Sequence, residues 1–102
     1  MGQSILTENQ ADITETVELE LPPDYKVIFH NDDFTTMDFV VNILVSVFEK
    51  DFTQAQQLME KVHKTGSAIV GVYTYDIAVT RAELATKKAR EEGFPLRITV
   101  EQ

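Results

Sequence analysis

Two short segments hold the residues best suited to chemistry. One is His30-Asn31-Asp32-Asp33-Phe34-Thr35-Thr36-Met37-Asp38-Phe39-Val40, and the other is Met59-Glu60-Lys61-Val62-His63. The first packs three consecutive carbonyl or carboxylate side chains into a turn ahead of a helix that carries a Met and a Val. The second presents a Met, a Val and a His on one helical face. Brought together, they make a small apolar pocket with an acidic, hydrogen-bonding rim. Such a pocket suits an apolar group attached to a cation. Each feature also has a plainer reading. Asn and Asp end strands in Asx-turns, Met37, Val40, Met59 and Val62 could be core, and His63 could simply favour the negative end of a helix.

Other chemistry finds little support. The chain has two His, no Cys and four Gly, which leaves no thiolate site, disulfide framework or phosphate-cradling loop. A metal site of His30, Asp32, Asp33 and His63 is conceivable, but Asn31 would intrude as a poor ligand. No catalytic residue, metal or other cofactor is therefore expected. The net charge is −8, with five acids and no base in residues 1–23 and 12 acids against 9 bases in the remainder. With no basic stripe, nucleic acid is not an expected partner. The sequence has no secretory leader pattern and no apolar run near the roughly 20 residues a membrane span needs. The expected setting is the cytoplasm, away from membranes.

The elements that must position the two segments follow from periodicity. Residues 1–21 are polar and acidic and read as a flexible extension, and Pro22-Pro23 marks the start of one domain over 22–102. Tyr25–Phe29 reads as a strand. Thr35 is the expected N-cap of a first helix whose apolar stripe is Phe39, Val40, Ile43, Leu44, Val47 and Phe48. Thr53 is the expected cap of a second helix striped by Ala55, Leu58, Met59 and Val62, with Gly66 at its left-handed end. Strand 67–74 contains Gly71 as a bulge candidate. A helix over about 76–92 and a strand over 96–101 complete the order. The expected fold is α+β, β-α-α-β-α-β, a three-stranded antiparallel sheet packed with three helices.

The segments Tyr25-Lys26-Val27-Ile28, Asn31-Asp32-Asp33-Phe34-Thr35-x-Met37-x-Phe39-Val40, Met59-x-x-Val62-His63-x-x-Gly66 and Ala68-x-x-Gly71-Val72 resemble the signature of the ClpS family. The resemblance spans about residues 22–101. It departs at Thr36, where the family often has Pro, and at Asp76, where Glu is common. It implies a non-enzymatic adaptor that binds N-degron proteins, those beginning with Leu, Phe, Tyr or Trp, and delivers them to the ClpA–ClpP protease of bacteria. By that resemblance Asn31 and His63 accept from the α-amino group, Asp32 orients water and the first peptide groups, and Asp33 supports the loop. The side-chain pocket is formed by Thr35, Met37, Val40, Met59, Val62 and Leu96, with Met37 as its gate. Asp76 and Arg81 on the third helix dock on the N-terminal domain of ClpA or a related Clp unfoldase, residues 1–21 are engaged by the unfoldase, and the free chain is a monomer. A competing reading, a domain like that of the ribosomal stalk protein binding GTPases through a Lys-rich helix, finds only Lys87, Lys88 and Arg90 clustered and gives the pocket no purpose.

Overall fold

The computed structural model describes residues 21–102; the extension expected over 1–21 lies, apart from Leu21, outside them. The element order is β1 (Tyr25–His30), α1 (Met37–Ser46), α2 (Phe52–Thr65), β2 (Ser67–Tyr73), α3 (Tyr75–Glu91) and β3 (Arg97–Glu101). This is the expected β-α-α-β-α-β order. The sheet is antiparallel with β1 at its centre, in the order β2-β1-β3.

Alternation along β1 sends Val27 and Phe29 fully into the core. In the same core lie Ile43 and Leu44 of α1 and Val47 and Phe48 just after it, with the Phe29 and Phe48 rings edge to face at 5.4 Å. The buried stripe of α3 is Ala78, Ala82, Ala85 and Ala89, small side chains that let the helix backbone approach the sheet closely. In β2 the register with β1 slips between Gly71 and Ile69, leaving Val70 as an extra residue. The Tyr73 ring lies across the space a Cβ at Gly71 would take, so the bulge falls where the side chain is absent.

Two helix starts differ from expectation. Helix α1 is capped by Thr36, whose hydroxyl accepts from the Phe39 amide at 3.2 Å, and not by Thr35. The reason is a competing partner: the Thr35 amide and hydroxyl both donate to Asp32, so Thr35 belongs to the turn. The hydroxyl at Thr36 does work there that a Pro could not. Helix α2 is capped by Asp51 rather than Thr53, because Asp51 and Gln54 exchange hydrogen bonds in a capping box. Helix α2 then ends at Gly66, with φ 93° and open space around it, and β2 begins at the next residue.

Candidate functional site

That junction brings the two segments together. The strand pairing sets His30 opposite Ser67, and just beyond it the Asn31 amide donates to the Gly66 carbonyl at 2.8 Å. The end of β1 is thereby tied to the end of α2, and the 31–36 turn faces the last turns of α2. Gly66→Ala should expose how much this junction matters. Forcing a Cβ into left-handed backbone costs about 1 kcal/mol, or about 5 °C in Tm for a domain of this size. Differential scanning calorimetry checks it, and an unchanged Tm would mean that the junction relaxes freely.

A cavity of about 390 Å³ opens between the turn, the start of α1 and the end of α2. Its lining includes Asn31, Asp32, Asp33, Thr35, Met37, Val40, Met59, Val62 and His63. Val40 and Val62 form a buried floor, while Met37 is half-exposed at the wall. Asn31, Asp33 and His63 are exposed. Among the described residues neither the Asn31 side-chain carboxamide nor the His63 ring makes a hydrogen bond, so both heads are open at the mouth. Leu96 lies elsewhere: it is fully buried in the core and does not line the cavity. The cavity also takes Phe34 and Thr36, which sequence reasoning passed over. The signal in the sequence is an aromatic residue, Phe34, within a run of polar turn residues, and it stands 74% exposed.

Asp32 organises the turn. Its Oδ1 accepts from the Phe34 and Thr35 amides at 2.8 and 2.7 Å, and its Oδ2 accepts from the Thr35 hydroxyl at 2.8 Å. Burial alone would push its carboxyl up. The Thr35 and Phe34 amides, the Thr35 hydroxyl and the positive charge of Arg90 outweigh that and hold it below the usual carboxylate range. The plain Asx-turn reading and the acidic-rim reading thus coexist in one side chain: the turn occupies several lone pairs, and the charge remains at the cavity.

His30 is turned away from a joint metal site, its Nε2 lying 2.8 Å from Thr99 Oγ1 across the sheet. Among the described residues no three His, Cys, Asp or Glu side chains are grouped to hold a metal. Asp76 is exposed in the first turn of α3. Arg81 is partly buried; it donates to the Val47 carbonyl at 3.2 Å, pairs with Glu49 at 3.6 Å and lies 5.0 Å from the centre of the Tyr73 ring. Of the basic cluster on α3, Lys87 pairs with Glu91, and Arg90 donates to the Phe94 and Leu96 carbonyls. No helix among the described residues is long and apolar enough to cross a membrane.

Chemically, the cavity offers an apolar hole beneath a ring of acceptors and negative charge. It fits a neutral side chain next to an ammonium group. The family model for the ATP-dependent Clp protease adaptor protein ClpS matches residues 20–99. Relatives named ATP-dependent Clp protease adapter protein ClpS include one from Treponema denticola, 52% identical over 79% of this chain and 80% of its own length. Another, from Oleidesulfovibrio alaskensis, is 41% identical over 98% of this chain and 96% of its own. A solved structure, Agrobacterium tumefaciens ClpS2 bound to L-phenylalaninamide, superposes with a TM-score of 0.77 at 42% identity, covering 79% of this chain and 98% of that one.

Proposed function

The chain belongs to the ClpS family of Clp protease adaptor proteins, and from that premise we propose that it binds proteins by an N-terminal Leu, Phe, Tyr or Trp and delivers them to ClpA–ClpP. The observation that carries the reading is the convergence of Asn31, Asp32 and His63 on the mouth of a cavity floored by Val40 and Val62. In this reading Asn31 and His63 accept from the α-ammonium, and Asp32 and Asp33 supply the negative field that favours it. The solved relative's ligand, an amino-acid amide with a free amine and an aromatic side chain, has this chemistry. The relatives are named as adaptors of a protease, in keeping with a binding role rather than a catalytic one.

Delivery is assigned to α3 and the acidic residues 1–21. Asp76, together with the exposed Ile77 and Leu84, offers a mixed apolar and acidic face for the N-terminal domain of ClpA or a related unfoldase. Arg81 would share its guanidinium between that partner and the Val47 carbonyl. The bacterial cytoplasm, where such an unfoldase works, is part of the same proposal, as is a monomeric free state.

A peptide array varying the first residue through all twenty types tests the specificity. The parent chain should retain Leu, Phe, Tyr and Trp and reject Ile and Val. Met37 stands at the cavity wall, where extra bulk at a β-carbon meets the thioether; overpacking of this kind costs about 1–3 kcal/mol. Met37→Ala should therefore raise Ile- and Val-led binding about tenfold. An array indifferent to the first residue would remove the proposal.

A further inference from the structure

Beside the cavity, and sharing Met59 with it, lies a second apolar depression on the outer seam between α1 and α2. This seam encloses about 370 Å³ and is lined by Val41, Val45, Phe52 and Met59, with the Asn42 and Gln56 amides at its rim. Val45 is 40% and Phe52 63% exposed, so the seam is an open apolar surface and not core. Met59 lines both the cavity and the seam, and no charged side chain except Asp38 borders the latter.

We infer that the seam is a second specificity site, which takes an apolar side chain of the bound polypeptide a few residues after its N-terminal one. This rests on the cavity holding that first residue. A chain so anchored must leave the cavity, and the seam is an apolar surface that adjoins the cavity at Met59. From Met59 to Phe52 the seam runs about two turns of helix, on the order of 10 Å. An extended chain covers that in about three residues. The third or fourth residue of the ligand therefore comes level with Val45 and Phe52, while the Asn42 and Gln56 amides can pair with its peptide groups. An apolar side chain there is drawn out of water, and an Ala leaves the seam wet.

The test is isothermal titration calorimetry of the full chain with Phe-Ala-Ala-Ala-Ala and with versions bearing Leu at the third or the fourth position. One of the Leu peptides should bind about five- to tenfold more tightly than the Ala peptide. In Val45→Ser, and separately in Phe52→Ser, the Leu and Ala peptides should bind alike. Equal binding of all three peptides to the parent chain overturns the seam and leaves the first-residue cavity standing. Binding of none overturns the cavity reading and the seam with it. A parent chain that sediments as a dimer, and becomes monomeric on Phe52→Ser, would assign the seam to a second copy and also overturn the inference.

Discussion

A peptide beginning with a free Phe should bind, and the same peptide acetylated on its α-nitrogen should bind at least about a hundredfold more weakly. The cavity floor is small, so burying one Phe or Leu side chain yields roughly 1.5–3 kcal/mol. Micromolar affinity requires about 8 kcal/mol. Charge-assisted hydrogen bonds to the exposed Asn31 and His63 heads add on the order of 1.5–3 kcal/mol each before desolvation, and the field of Asp32 and Asp33 adds to them. Acetylation removes the charge and leaves one amide N–H where three donors stood. It also pushes a methyl toward an acidic rim. Neither the side chain nor the amine suffices alone, so an internal Phe should fail like an acetylated one. Anisotropy titration of the matched pair decides it. Equal affinities would show that the cavity reads only apolar bulk and that the polar mouth serves the turn.

The architecture of the site was partly legible and partly not, and the division has a physical cause. The helix stripes and the strand order follow from local periodicity, and the left-handed end of α2 follows from a glycine placed after a His and a Lys. The caps depend on who else wants the same atoms. Thr35 looks like a cap until Asp32 takes its amide and hydroxyl, and that competition is visible only when the turn is closed. The Asp51-x-x-Gln54 pattern was present in the chain and is the stronger cap, since it satisfies two amides reciprocally where Thr53 offers one. What local pattern could not supply was the meeting of the two segments. It rests on β1 pairing with β2, whose first residue follows α2 directly, so that the Asn31 amide reaches the Gly66 carbonyl. Strand pairing is non-local. The resemblance filled that gap for most of the lining, yet Phe34 and Thr36 were passed over and Leu96 lies in the core.

Asp32 is where turn and charge can be separated. Asp32→Ala removes the acceptor for two amides and a hydroxyl at once. Because the turn is near water, solvent takes over part of the loss, and the stability cost should be about 1–2 kcal/mol at pH 7. Asp32→Asn keeps one carbonyl oxygen for the Phe34 and Thr35 amides and lets the Thr35 hydroxyl rotate to accept instead. It should therefore melt near the parent while lacking the charge. Peptide affinity should fall about tenfold in Asp32→Asn and about a hundredfold in Asp32→Ala, where the lost turn also displaces Asn31. The pH dependence has a definite sign. A carboxyl whose folded pKa lies below its unfolded value stabilises above the unfolded value, near 3.9, and that stabilisation is lost as pH falls through the folded one. The parent's stability advantage over Asp32→Ala should therefore be constant from pH 7 to about 5 and narrow below about pH 4. Urea denaturation across that range measures it. If Asp32→Asn is as unstable as Asp32→Ala, the turn is held by charge rather than by its acceptor geometry. If Asp32→Ala binds free Phe peptides as tightly as the parent, the acidic rim has no part in recognising the amine.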